Sequence, residues 1–293
     1  MKRPSYIWKL RSRTLKLGPR TLVMGVLNVT PDSFSDGGKF FSRENAVARA
    51  RQMLEAGADL LDIGGESTRP GALVAESGVP AEEELRRIMP VIEDLLRRRP
   101  EVVISVDTYK AEVARTAVNA GAEIVNDVSG LRWDAQMASA VAGLKCGVVL
   151  MHTRGKPQEW RNQPASPDIV TEVMSDLRQW AAHALDQGIA HESVVLDPGF
   201  GFGKKFEENY PLLAGLGKLH DLGFPLLSGT SRKSFVGRTL ARDGKDAGPH
   251  ERLYGTLAAV TASVLKGVHI VRVHDVKAAV EAVRVTDAIR EAG

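Results

Sequence analysis

Across 293 residues there is one cysteine, Cys146, which excludes an internal disulfide and any cluster of thiolate metal ligands. No stretch approaches the ~20 consecutive apolar residues that a membrane-crossing helix needs. Nor does the basic N-terminus lead into an apolar segment with a cleavage site, so the chain is expected to be cytoplasmic, with no membrane partner. Charge of one sign is also scarce: 39 Lys and Arg are set against 36 Asp and Glu, a net of +3. Nucleic acid would call for a concentrated basic face, and none is expected. The one exception is the start of the chain, where Lys2, Arg3, Lys9, Arg11, Arg13, Lys16 and Arg20 occur without an acid. Alternation from Tyr6 to Leu17 reads as a hairpin with solvated basic side chains rather than a nucleic-acid arm. Linkers, repeats and low-complexity tracts are missing as well, so residues 1–293 are read as one domain of barrel size. There is no HExxH, no His/Cys metal spacing and no Ser-His-Asp order, which disfavours zinc and nucleophilic chemistry.

What the sequence does have is a repeated device. Residues 102–106, VVISV, form a β-branched run that ends abruptly at Asp107. A run that apolar is buried on both faces, as in a parallel sheet, so the carboxylate sits where the strand leaves the core. Residues 22–27 end likewise at Asn28, and 60–63 are broken by Asp62 and run out in Gly64 and Gly65. Residues 123–125 end at Asn126, 148–151 at His152 and 194–196 at Asp197; 225–227 run into GTSRKS, and 268–273 carry Arg272 and then reach His274. Helical patterns cover 42–56, 82–98, 109–120, 134–142, 167–187, 207–221, 251–265 and 276–292, and Pro90 predicts a kink or break in the second. Eight strands alternating with helices predict an α/β fold, a (β/α)8 TIM barrel, with the hairpin closing its amino-terminal end.

In such a barrel the polar strand exits converge. Each alone reads equally well as a helix cap or a loop residue, but caps need a short acceptor, and Lys233 and Arg272 are not that. Three long connections fall on the same face: NVTPDSFSDGG with Phe34, GGESTRPGALVAESG with Glu66, Ser67, Thr68 and Arg69, and TRGKPQEWRNQP. DPGFGFGKK, residues 197–205, reads as a tight strand exit rather than a phosphate loop, because Phe200 and Phe202 fill its GxGxG gaps; it presents Asp197 and an aromatic wall to a flat ligand. GTSRKS, residues 229–234, opens a helix, so backbone N–H groups, Ser hydroxyls, Arg232 and Lys233 can face an anion, a capped helix with solvated side chains being the alternative. Arg272 and His274 share a face of the eighth strand and, with Asn28 across the seam, make a second anion site. The site thus has two poles. Asp62, Asp107, Asn126 and Asp197 suit a planar heterocycle rich in N–H groups, and Arg272 with His274 suits an anionic leaving group.

Seven blocks, MGVLNVTPDSFSDGG, DIGGESTRPGA, SVDTYKAEVA, VNDVSGL, LDPGFGFGK, SRKSFVG and VRVHDV, resemble the successive motifs of the dihydropteroate synthases, in order and spacing and over nearly the whole chain. The resemblance implies a folate-pathway transferase that joins para-aminobenzoate to 6-hydroxymethyl-7,8-dihydropterin diphosphate and releases pyrophosphate. It implies Mg²⁺, a homodimer whose contact falls on the last two helices, an SN1-like displacement, and competition by sulfonamides. By the same resemblance the pterin lies against Asp107, Asn126, Asp197, Lys233 and Met151, with Asp107, Lys233 and Asp197 catalytic. The diphosphate is held by Asn28, Thr68, Arg272 and His274, Asn28 also meeting the metal, and the aminobenzoate lies near Phe34, Pro70, Phe202, Lys233 and Ser234. Asp36 and the rest of the first two loops order over the substrates. MHTRGKP departs from the family at Thr153, where Met is common, which bears on pterin packing. Two rival readings stand beside this one. A methyltetrahydrofolate-binding methyltransferase barrel shares the pterin pocket but has no use for SRKS and RVHD. A non-catalytic pterin-binding relative is expected to have lost one of Asp107, Lys233, Arg272 or His274, and all are present.

Overall fold

A computed structural model describes residues 3–30, 43–66 and 78–293. It begins with an antiparallel hairpin, β1 (Tyr6–Lys9) and β2 (Thr14–Leu17), in which Tyr6 faces Leu17 and Lys9 faces Thr14. Eight parallel strands follow: β3 (Leu22–Asn28), β4 (Leu60–Gly64), β5 (Ile104–Asp107), β6 (Ile124–Asp127), β7 (Gly147–Met151), β8 (Val194–Asp197), β9 (Leu227–Ser228) and β10 (Ile270–Val273). Between and after them come α1 (Arg43–Glu55), α2 (Ala81–Arg98), α3 (Ala111–Asn119), α4 (Met137–Leu144), α5 (Ile169–Asp186), α6 (Asn209–Ala214), α7 (Ser234–Thr239), α8 (Leu253–Leu265) and α9 (Val276–Ala292). The strands pair in the order β8, β7, β6, β5, β4, β3, β10, β9. The ring closes between β8 and β9 through a bridge from Leu196 to Leu226 and a 3.0 Å bond from the Leu196 N–H to the Pro225 carbonyl. This is the TIM barrel that the strand pattern predicts.

Alternation with period two sorts each strand into two populations. Val23, Leu61, Ile104, Val125, Leu150, Leu196 and Val271 pack outward with the helices. Leu22, Met24, Leu60, Ile124, Val149, Val195, Leu227 and Ile270 point inward near the strand starts and pack with Trp8, Leu10 and Leu17 of the hairpin segment. Trp8 is fully buried and its indole N–H donates to the Ser193 carbonyl at 2.8 Å, so the hairpin plugs the amino-terminal end. Each side chain so buried stabilises the plug by roughly 1.5–3 kcal/mol. Further along, the inward positions turn polar. Register sets Asp62 beside Ser105, Asp107 beside Asn126, and Met151 beside Asp197.

Several local expectations are corrected. Asp62 does not break β4; it lies within the strand, fully buried, because the barrel interior at that level is polar and supplies its partners. Helix α2 runs unbroken through Pro90, since Ile88, Val91, Ile92 and Leu95 bury its inner face on both sides of the missing N–H. Residues 207–221 divide at Gly215 into α6 and a 3₁₀ stretch, Leu216–Leu222; at Gly215 the chain approaches α5 so closely that a Cβ would lie 2.8 Å from Val170 Cγ2. Of the basic start, Lys9, Arg11 and Lys16 are exposed as expected, and among the described residues only Arg3 departs from a solvated face. Arg3 is buried against Asp287 and Thr21, Arg13 pairs with Glu123, and Arg20 forms two bonds to Asp59. Cys146 is buried, and burial pushes its thiol up to about 12, far from the thiolate needed for reaction. Among the described residues no helix is long and apolar enough to cross a membrane.

Candidate functional site

At the carboxyl ends of the strands a cavity of about 300 Å³ is lined by Asn28, Asp107, Phe202, Lys233, Ser234, Arg272 and His274, among others. A narrow recess of about 20 Å³ opens beside it between Asp107, Asn126, Met151, Asp197, Phe202, Lys233 and Arg272. The two share Asp107, Phe202, Gly229, Lys233 and Arg272. Of the site residues named from the sequence for the two poles and the substrates, those lying within the described residues are on one of these two adjoining walls, except Asp62, which is fully buried and lines neither. Phe34, Asp36, Thr68 and Pro70 lie outside the described residues.

The floor is a network of charge. Arg272 Nε donates to Asp62 Oδ2 and its Nη2 to Asp107 Oδ2, both at 2.6 Å, while Asn126 Nδ2 donates to Asp62 Oδ2 at 3.0 Å. The two poles thus share a member: Arg272 ties the carboxylates together instead of standing apart beside His274. Burial would lower the Arg272 pKa, but Asp62 and Asp107 outweigh it and hold the guanidinium charged. Asp107 is pushed up to about 7 by burial, pulled down by Arg272 and raised again by Asp62. Asp197 is raised by burial as well, against the Gly199 N–H, which donates to its Oδ1 at 2.8 Å, and against Lys233. Asp62 Oδ1 is buried with no partner among the described residues. Such a layer is costly to assemble and repays the cost only when a ligand or a counter-charge completes it.

Around the rim the picture is mixed. Lys233 Nζ lies 3.7 Å from the centroid of the Phe202 ring, a cation–π contact that fixes the ammonium at the junction of cavity and recess. Ser231 Oγ and His274 Nδ1 are 3.0 Å apart, so the GTSRKS and RVHD segments touch. Arg232 is corrected: instead of facing an anion it makes two bonds to Asp275, at 2.9 and 2.6 Å, and its N–H donates to Thr256. It lies at the cavity wall beside Lys233 with a left-handed backbone, φ +56°, but its guanidinium is engaged by Asp275. Three polar groups escaped the sequence reading. Asp127 is fully buried and accepts from the Ser129 and Leu131 N–H groups; burial raises it to about 6 against those bonds. Asp followed two residues later by Ser in VNDVSGL is the signal of that turn. Lys204 and Asp176, at the two ends of a chain through His152, gave no signal beyond the word GFGK.

Comparison with known proteins agrees with this geometry. The pterin binding enzyme family matches residues 24–274. The dihydropteroate synthase of Escherichia coli is 48% identical over 267 residues, 91% of this chain and 90% of that one. The solved dihydropteroate synthase of Xanthomonas albilineans with 4-aminobenzoic acid has a TM-score of 0.88 at 45% identity, covering 98% of this chain and 99% of that one. The same organism's enzyme in complex with 7,8-dihydropteroate gives 0.83 at 43% identity over 96% and 98%. Fold, cavity and likeness converge, and the chain belongs to the pterin binding enzymes and, among them, to the dihydropteroate synthases.

Proposed function

We propose that the chain condenses 6-hydroxymethyl-7,8-dihydropterin diphosphate with para-aminobenzoate in this cavity, the whole chain acting as one pterin-binding barrel. The observation that carries the reading is the meeting of Asp107, Asn126, Asp197, Lys233 and Arg272, from five separate strand ends, on one wall. Carboxylates of Asp107 and Asp197 accept from the pterin N–H groups, Asn126 and Met151 flank the ring, and the Lys233 ammonium donates to its carbonyl oxygen. Asn28, Arg272 and His274 receive the diphosphate, with Thr68 added from the second loop. Ser234 takes the aminobenzoate carboxylate while Phe202 and the Lys233 stem line its ring, Phe34 and Pro70 approaching from the loops. A molecule resembling aminobenzoate, such as a sulfonamide, competes for the same place.

Mg²⁺ fits the donors on hand. Asn28 brings one amide oxygen to the cavity, and such a sparse set suits an ion that keeps most of its shell as water and phosphate oxygens. When bound, Mg²⁺ supplies neutralisation of charge on the leaving group.

The methylene C–O bond breaks first, its electron pair leaving with pyrophosphate toward Arg272 and His274. Asp107 steadies the positive charge spread over the pterin. The neutral aniline nitrogen then forms the C–N bond and gives its surplus proton to pyrophosphate, so no strong protein base is needed. A methyltransferase reading leaves Lys233, Ser234, Arg272 and His274 without employment on one cavity wall. The cytoplasm is the expected location. A homodimer through α8 and α9 would cover Tyr254, Leu265, Val285 and Ile289, all exposed and Tyr254 to 82%.

Incubation with both substrates and Mg²⁺ is expected to yield dihydropteroate and pyrophosphate in equal amounts; neither product appearing would refute the assignment. A second expectation is ordered binding, because departing pyrophosphate helps to complete the aminobenzoate pocket. Calorimetry should find tight aminobenzoate binding only when pyrophosphate is present, and tight binding to the free protein would count against that order.

A further inference from the structure

Against the backbone of Gly199 and Phe202, two residues of the recess, lies a buried chain of groups to which the proposed mechanism gives no role. Lys204 is 8% exposed, yet it follows a glycine-rich turn where a lysine would ordinarily reach solvent. Its Nζ lies 2.8 Å from the Gly199 carbonyl, 2.9 Å from His152 Nδ1, 3.3 Å from the Phe202 carbonyl and 3.5 Å from the His152 carbonyl. All four are acceptors, provided that the His152 proton is on Nε2, and Nε2 has its own acceptor in Asp176 Oδ2 at 3.1 Å. The ring of His152 stacks on Trp180 with centroids 5.1 Å apart. An ammonium, with three donors, is the species that such a nest of acceptors selects.

The turn is wrapped around this ammonium. Gly199 uses both faces of its peptide environment: its N–H donates to the Asp197 carboxylate, and its carbonyl accepts from Lys204. At Gly199, φ is +66° and a Cβ would stand 1.8 Å from the His152 carbonyl, so the exits of β7 and β8 are pressed together here. The His152 N–H also donates to the Asp197 carbonyl at 2.8 Å. Release of the ammonium would free the carbonyls of Gly199 and Phe202 at once, and with them the carboxylate of Asp197 and the Phe202 ring.

We infer that Lys204 is a positioning residue: its buried ammonium, held by His152 and Asp176, fixes the 197–202 turn so that Asp197 and Phe202 meet the pterin. The inference rests on the reading of the recess as the pterin site. Burial lowers the Lys204 pKa to about 7, against the attraction of Asp197. Arg154 and Lys233 lower it further and Glu208 raises it, while Asp176 faces the ammonium across His152. His152 itself is lowered to about 3 by burial and by Lys204 and stays neutral throughout the working range. Raising the pH through about 7 therefore discharges the nucleus of the turn.

The test is calorimetric binding of 6-hydroxymethyl-7,8-dihydropterin diphosphate between pH 6.5 and 9. Ionisation of Asp107 raises affinity up to about pH 7, and on the alkaline side of that the wild-type affinity is expected to fall as Lys204 loses its proton. In Lys204→Met, affinity at pH 6.5 should drop by about 100-fold, the order of effect of a reacting contact misplaced by about 1 Å, and the alkaline fall should vanish while the acid-side dependence set by Asp107 remains. Asp176 is partly exposed. Asp176→Asn should therefore fold, and with one less negative charge near the ammonium its fall in affinity should come at lower pH. Global stability moves the other way: an unfolded Lys binds its proton more tightly, so folding gains as pH rises from about 7 toward 10.5, and the lost affinity cannot be unfolding. Wild-type affinity and alkaline fall retained in Lys204→Met, or superimposable curves for Asp176→Asn and wild type, would overturn this inference alone. A wild-type protein that binds no dihydropterin diphosphate at any pH would overturn the reading of the recess and this inference with it.

Discussion

Asp107→Asn is expected to lower turnover by about 10²–10³-fold, the usual cost of removing one electrostatic group aimed at charge that develops in a transition state. The fold should survive, because the amide has the same shape and Asp107 is only partly enclosed, its side chain 18% exposed. A pH signature separates this from a packing effect. Burial, and the carboxylate of Asp62, hold the Asp107 pKa above the ordinary range, at about 7, despite Arg272. The folded chain therefore binds that proton more tightly than the unfolded one; stability from this group falls as pH rises from about 4 to 7, whereas turnover, which needs the carboxylate, rises over the same span. Wild-type kcat should decline on the acid side of about 7, and the Asn variant should lack that decline. Near-normal turnover in the variant would remove the charge-stabilising role from Asp107.

Arg272→Met should be the most damaging single change to both stability and activity. Asp62 is fully buried and one of its oxygens already lacks a partner among the described residues, so loss of the guanidinium leaves a buried charge with only Asn126 to hold it. Breaking a buried pair in this way typically costs about 3–5 kcal/mol, which urea denaturation would register. Turnover should fall by about 10³-fold, since the leaving pyrophosphate loses a fixed cation of its proposed site. Arg272 also draws the Asp107 pKa down. Without it the acid limb of the residual activity should move to higher pH. An unmoved limb would show that the 2.6 Å contact between Arg272 and Asp107 does not set the charge on Asp107. Arg272→Lys separates charge from geometry, because an ammonium cannot span both carboxylates as the planar fork does.

Strand exits were legible because a switch from β-branched to polar residues is a local property of the chain. Asp107, Asn126, Asp197 and Arg272 each announce themselves in this way, and the barrel brings them together without further information. Partner choice is not local. Whether Arg272 reaches toward His274 or toward Asp62 and Asp107 depends on the register of β10, β3, β4 and β5, and the bonds it makes span 210 and 165 residues. Arg232 and Lys233 are neighbours of equal charge that both reach the cavity wall, and the distant Asp275 decides that the Arg232 guanidinium is already paired there. The helix expected at 207–221 divides for a similar reason, since the approach of α5 at Gly215 is invisible to a pattern of apolar spacing. Lys204 is the clearest case. A lysine after glycines reads as surface until the turn is seen folded around it.

The Trp8 plug has a consequence for traffic. With the amino-terminal end sealed by Trp8, Leu10 and Leu17, both reactants and both products share the opening at the opposite end. On the proposed placement of the pterin in the recess, its ring would be the first to arrive and the last to go, its exit waiting on whatever is seated above it.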